Sequence, residues 1–170
     1  MKKLALLRHA KSVPGGPGVR DFDRALNTRG VEAARRMGEE IRSRGWRFDL
    51  VLASSARRVQ ETVECVEAGY GRSLAAEFVD SIYDASAEAL TKLVQGVGDD
   101  VENVLIVGHN PGLQEFACKL AMSGDPRGSM AADHFPTAAL LLLELPARRW
   151  RDLTLQSASI VEFVQPRDPA

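Results

Sequence analysis

Lys3-Leu4-Ala5-Leu6-Leu7-Arg8-His9-Ala10 is the stretch from which the rest of the chain is read. Its apolar part, Lys3 to Leu7, is too short for a helix and predicts a buried strand. Arg8 and His9 then stand at the carboxyl end of that strand, where an open α/β sheet places its ligands. An imidazole is suited to act as a nucleophile or proton carrier near neutral pH. An arginine beside it presents a planar fork of donors that matches a phosphate.

The same alternation continues outward from this strand. Val13 to Arg20 contains Pro14, Gly15, Gly16, Pro17 and Gly18 and predicts a loop directly after the candidate site. Loops in such places often cover substrate. Asn27 or Thr28 caps a predicted helix to about Arg44, with Val31, Ala34, Gly38 and Ile41 inward and Gly45 as its stop. Leu50–Ala53 predicts a second strand. Ser54-Ser55 then caps a helix with Val59, Val63, Val66 and Tyr70 on its apolar face. Ala75–Val79 is a third, weaker strand, and Ser86 starts a helix with Leu90, Leu93 and Val97 inside. Val104–Val107 is the strongest strand signal. Asn110 is expected to cap the next helix, with Pro111 in its first position and Leu113, Phe116, Ala117 and Leu120 facing the core. Gly124 to Asp133 reads as a loop, Ala138–Leu145 as a strand and Ile160–Val164 as a weaker one. Strands alternating with helices predict one mostly parallel sheet with helices on both faces, a three-layer α/β/α arrangement.

Composition narrows the classes of function. At 170 residues the chain is expected to form one domain over residues 1–170, with a real core. A formal net charge of −1 gives no overall field favouring nucleic acid or membrane, so an anion must be bound by a local basic cluster. The two cysteines, Cys65 and Cys118, match no metal spacing or disulfide framework and are expected to be core thiols of a reduced, cytoplasmic protein. Leu4 to Leu7 is far too short for a signal peptide or membrane span. Trp46 and Trp150 are expected in core or loop contacts, and His134 as a loop histidine.

Three of the predicted strands end in polar groups of one chemical kind: Arg8-His9, Ser54-Ser55-Ala56-Arg57-Arg58, and Gly108-His109-Asn110-Pro111. Parallel strands share an edge for their carboxyl ends, so residues a hundred positions apart can meet there. Arg57 and Arg58 fall in the first turn of a helix, where the helix's partial positive charge disfavours cations by ~0.3–1 kcal/mol each. Either both extend into water, or an anion at that helix start turns the repulsion into attraction. His109 is either a structural histidine between strand and helix or a second catalytic imidazole.

Together, Arg8-His9-Ala10-Lys11-Ser12, the Asp23-Arg24-Ala25-Leu26-Asn27-Thr28-Arg29-Gly30 segment, the Ser54…Arg58…Thr62 pattern, Val107-Gly108-His109-Asn110-Pro111 and Phe135-Pro136-Thr137 resemble the histidine phosphatase (phosphoglycerate mutase-like) superfamily. The short SixA-type branch, the phosphohistidine phosphatases, is the most similar. The resemblance runs from Leu4 to about Pro166. It implies a phosphoglycerate mutase-like fold and a phosphatase that needs no metal or cofactor. His9 would be the nucleophile that becomes phosphohistidine. Arg8, Arg58 and His109 would surround the transferred phosphoryl group, with Arg58 preferred to Arg57 by its place between Ser54 and Thr62. Larger members carry an acid that protonates the leaving group. Asp84 lies in roughly that region but equally reads as a loop residue, and the SixA branch looks as if it lacks the acid.

The mechanism so implied needs a neutral His9, which the charges of Arg8 and Arg58 favour, and one ring nitrogen donating to a backbone carbonyl. The expected partner is a phosphorylated substrate, first among them a histidine-phosphorylated protein domain, with no nucleic acid and no membrane. Lys11 and Arg24 either meet flanking anions of that substrate or are solvated surface. Two rivals stand beside this reading. One is a phosphatase or mutase of sugar or other organic phosphates, and the other is a non-catalytic phosphate-binding module.

Overall fold

A computed structural model describes residues 1–166. Four consecutive apolar residues in β1 (Lys2–Arg8), Leu4 to Leu7, are all buried, and this requires cover on both faces of the strand. Leu4 and Leu6 face one core, and Ala5 and Leu7 face another. β1 lies centrally in a six-stranded sheet of order β3-β2-β4-β1-β5-β6, with β2 Leu50–Ser54, β3 Glu77–Val79, β4 Asn103–Gly108, β5 Leu140–Leu145 and β6 Ser159–Val164. β1 to β4 are parallel; β5 runs antiparallel to β1, and β6 antiparallel to β5.

One face carries α1 (Thr28–Ser43) and α2 (Arg57–Tyr70). The other carries α3 (Ala87–Gln95), α4 (Gly112–Leu120) and α5 (Pro126–Asp133). α1 starts where Asn27 Oδ1 accepts from the Gly30 N–H at 2.8 Å, and α3 where Ser86 Oγ accepts from Ala89 N–H at 3.1 Å. α1 and α2 touch backbone to backbone. A Cβ on Gly38 would lie 2.1 Å from the Val66 carbonyl oxygen, and one on Gly69 1.9 Å from that of Arg35. At the edge of β1 away from the site, the buried Lys2 ammonium donates to the carbonyls of Asp99 and Val101 and to Glu102 Oε1, within 2.9 Å of each.

Several local expectations are corrected. Residues 126–133 of the expected loop form α5, because Asp125 accepts from Arg127 N–H and Pro126 takes the first helical position. Ser54 and Ser55 do not cap α2: its N-cap is Ala56, with no side-chain bond, and the Ser54 hydroxyl is used elsewhere. α4 begins at Gly112, after Pro111, although Asn110 Oδ1 still accepts from the Gln114 N–H. The third strand shrinks to Glu77–Val79, and the fifth starts at Leu140 because Ala138 has φ 61°. Val31 is 43% exposed, since the inward stripe of α1 passes through Gly30, Ala34, Met37 and Ile41 instead. Cys65 is half-buried and Cys118 exposed, so neither is a core thiol. Trp150 fills the core, and its indole N–H donates to the Val101 carbonyl.

Among the described residues no helix is long and apolar enough to cross a membrane.

Candidate active site

The carboxyl ends of β1, β2 and β4 come together, and the start of β5 joins them because that strand runs the other way. A cavity of about 440 Å³ opens there, faced by Arg8, His9, Arg58 and His109 with Lys11, Arg24, Asp21 and Tyr83 around it.

His9 is 7% exposed. Its Nδ1 donates to the Ala10 carbonyl oxygen at 2.8 Å, which leaves Nε2 as the nitrogen with the lone pair. That atom lies 3.4 Å from Arg58 Nε. The Ala10 N–H donates to Thr62 Oγ1 at 3.0 Å, and the Thr62 hydroxyl donates to the Arg58 carbonyl at 2.6 Å. One threonine on α2 thus ties the turn after β1 to the first turn of the helix that carries Arg58.

Neighbouring residues on a helix are about 100° apart, so only one of Arg57 and Arg58 can face the cavity. Arg57 is exposed and pairs with Glu61 at 3.1 Å. Arg58 is 5% exposed and uses every nitrogen: Nη1 donates to the Asp21 carbonyl at 2.7 Å, and Nη2 reaches Asp21 Oδ2 at 3.1 Å and His109 Nδ1 at 3.3 Å. With His109 Nδ1 accepting, its Nε2–H donates to Ser54 Oγ at 2.8 Å. The two imidazoles lie 5.1 Å apart between ring centroids. Arg8 donates from Nη1 to the Phe135 carbonyl at 3.0 Å, while its buried Nε has no hydrogen-bond partner among the described residues.

Burial and the surrounding cations act in one direction on both histidines. His9 is pushed down to about 4 by burial, helped by Arg58, Arg8 and Arg24, against the opposing pull of the Ala10 carbonyl. His109 is pushed down to about 3 by burial, then by His9 and Arg58. Both rings are therefore neutral at pH 7.

The sequence did not single out Asp21 or Tyr83. Asp21 lies in a short helical turn, Asp21–Asp23, at the end of the Gly/Pro-rich segment. Its carboxylate takes a bond from the Tyr83 hydroxyl and pairs with Arg58 and Arg24, and these hold it down at about 2. Tyr83 packs edge-on against His109 at 5.3 Å and against Phe22 at 5.1 Å. Two residues after Tyr83 the chain packs against the start of α4 at Gly112, where a Cβ would lie 2.0 Å from the Ala85 carbonyl oxygen. The available signal was their position: a charged turn after a loop next to the site, and an aromatic beside Asp84. Arg24 is not a free rim cation, since it is spent on Asp21 and on the Val13 carbonyl. Lys11 and Asp84 are exposed at the cavity's edge, and His134 lies outside it. Among the described residues no three His, Cys, Asp or Glu side chains are grouped to hold a metal ion.

Residues 4–93 match the sequence profile of the histidine phosphatase superfamily, branch 1. The chain belongs to that superfamily. This histidine phosphatase is 33% identical over 168 residues to an uncharacterised protein of Mycobacterium leprae, covering 95% of this chain and all of that one. Among solved structures, a candidate SixA phosphohistidine phosphatase from Agrobacterium tumefaciens superposes with a TM-score of 0.80 at 30% identity, over 97% of this chain and 98% of the other. A second candidate SixA, from Nakamurella multipartitia, gives 0.83 at 28% identity over 97% and 96%. The fold is thus the phosphoglycerate mutase-like one, in its SixA-type form, and the activity is that of a histidine-type phosphatase.

Proposed function

We propose that this histidine phosphatase removes the phosphoryl group from phosphohistidine in a protein, through a covalent phosphohistidine on its own His9. The observation that carries this reading is the state of the His9 ring. It is neutral, its Nδ1–H is fixed on the Ala10 carbonyl, and its Nε2, whose lone pair accepts from Arg58 Nε–H at 3.4 Å, lies in the wall of a cavity bounded by two guanidinium groups.

In the first step the Nε2 lone pair forms a bond to phosphorus as the bond to the leaving nitrogen breaks in line. The substrate's imidazole, protonated at its other nitrogen, takes the bonding pair and departs neutral, so no enzyme carboxylic acid is required. Of the two carboxyls at the cavity, Asp21 is held ionised near 2 and engaged with Arg58 and Arg24, and Asp84 stands exposed at the edge. The Ala10 carbonyl supports the positive charge that develops on His9. Arg8 and Arg58 stabilise the equatorial oxygens, and the unpartnered Arg8 Nε gains an acceptor. An arriving dianion reverses the cationic field on His109 and favours its protonated, donating form. Water then attacks phosphorus, the pair returns to His9 Nε2, and the water's proton leaves with phosphate. The positive charge comes from arginines, so the reading requires no metal.

His9→Ala is expected to abolish phosphate release from a phosphohistidine protein and from an aryl phosphate, while saturating chelator leaves the parent enzyme unchanged. Retained turnover in His9→Ala would overturn the nucleophile. Hydrolysis of sugar or aryl phosphates with none of phosphohistidine would favour the small-molecule reading, and binding without turnover the non-catalytic one.

A further inference from the structure

A second groove of about 300 Å³ adjoins the cavity and shares Lys11 and Thr137 with it. One wall is a face of α1, with Arg29, Glu32 and Arg36; His134 and Thr137 stand opposite. From the structure we infer that this groove binds an acidic segment of the protein substrate, flanking the phosphorylated residue. The inference rests on the protein-phosphohistidine reading and adds a sequence preference to it.

The placement is rigid. Asn27 N–H donates to the Lys11 carbonyl at 3.0 Å. Gly30 packs so closely under Lys11 that a Cβ there would lie 2.0 Å from the same carbonyl oxygen. The start of α1 is therefore locked to the turn that carries His9, two residues before Lys11. The groove opens at Lys11, on the rim of the cavity that holds His9, and extends along the helix. Arg29 and Arg36 are seven residues apart, about 10 Å at 1.5 Å per residue, a span matched by about three residues of extended chain. A small phosphate ester held at His9 does not reach along it.

The cations at its head have no competing work. The Lys11 and Arg29 side chains have no hydrogen bond or ion pair among the described residues, whereas Arg24, Arg44, Arg57 and Arg58 are all paired. Glu32, between the two arginines, selects among anions. A densely charged polyphosphate would meet it, while carboxylates spaced along a peptide can address Lys11 and Arg29 and stay clear of it.

The test compares two phosphohistidine peptides, one with Asp/Glu flanks and one with Ser/Gln flanks, against an aryl phosphate. The acidic peptide is expected to have the higher kcat/KM, with an advantage that shrinks in added salt. Arg29→Glu is expected to lower kcat/KM for the acidic peptide by at least about 1.4- to fivefold, the range for losing one exposed ion pair, and to leave the neutral peptide and the aryl phosphate unchanged. An acid in the first turn of α1 favours the helix, so this variant folds. Glu32→Gln is expected to raise kcat/KM for the acidic peptide alone, a gain that misfolding cannot produce. Equal rates for the two peptides, or equal losses in Arg29→Glu, would overturn the groove. If neither peptide is hydrolysed while the aryl phosphate is, the phosphohistidine reading fails by itself. The groove is then decided by the unphosphorylated acidic peptide: inhibition of aryl phosphate hydrolysis that Arg29→Glu relieves supports it, and no inhibition overturns it.

Discussion

The His9 ring, the Ala10 amide and the Thr62 hydroxyl form one chain of donors and acceptors, and it ends on the backbone of Arg58. Each link is buried, so removing one leaves a group that water cannot satisfy. Thr62→Val keeps the shape of the side chain and deletes both bonds. It is expected to cost about 1–3 kcal/mol in urea unfolding, and to lower turnover by loosening His9 relative to Arg58. Unchanged turnover would show that Thr62 only supports the fold. Residue by residue, the sequence was readable wherever a side chain broke a local rule. Arg58 was visible because cations are disfavoured at a helix start, and His9 because a strand stopped on it. Asp21 broke no rule, since its significance lies in Arg58 and Tyr83, residues remote in sequence that only folding brings to it.

At the scale of elements, α1 and α2 pack backbone to backbone on one face of the sheet, and α2 carries Arg58 from there into the cavity. Gly38 and Gly69 make that approach possible, each taking a backbone carbonyl of the other helix where a methyl would sit. Gly69→Ala is therefore expected to destabilise the protein by about 1–3 kcal/mol or more, read from the urea midpoint, because rigid backbone must shift to admit it. Ala68→Gly, exposed and one position away, is expected to cost only the helix propensity of glycine, about 1 kcal/mol. The long amphipathic elements were legible from their periodicity. What periodicity missed was short or ambiguous: α5 hid among Gly, Pro and Asp residues that also suit loops, and Pro126 served there as a first-turn residue.

For the molecule as a whole, the parallel order of β1 to β4 was legible and the direction of β5 was not. A buried strand reads the same both ways, and only its reversal brings Phe135 and Thr137 to the site. The clustering of buried histidines with arginines also sets how stability depends on pH. His9 and His109 titrate near 4 and 3 in the folded protein, below the ordinary 6.5. The unfolded chain therefore binds protons that the native one does not, and stability falls as pH drops from about 6.5 toward 4. Above pH 6.5 these two groups contribute no slope. Asp21, lowered to about 2, acts only in the more acid range below its ordinary 3.8. His9 alone is expected to account for about 3 kcal/mol across its window, at 1.36 kcal/mol per pH unit. Urea midpoints between pH 7.5 and 4.5 check this, and His9→Gln is expected to flatten the curve. A flat curve for the parent protein would contradict the buried, neutral imidazole.

The Lys2 ammonium, held by two carbonyls and a carboxylate at the far end of β1, has a practical consequence. An acylating reagent in solution meets Lys3 next door but finds Lys2 shut away until the central strand comes apart. Within two adjacent residues the chain thus carries a reactive amine and a silent one, and the silent one keeps a chemical memory of every global opening.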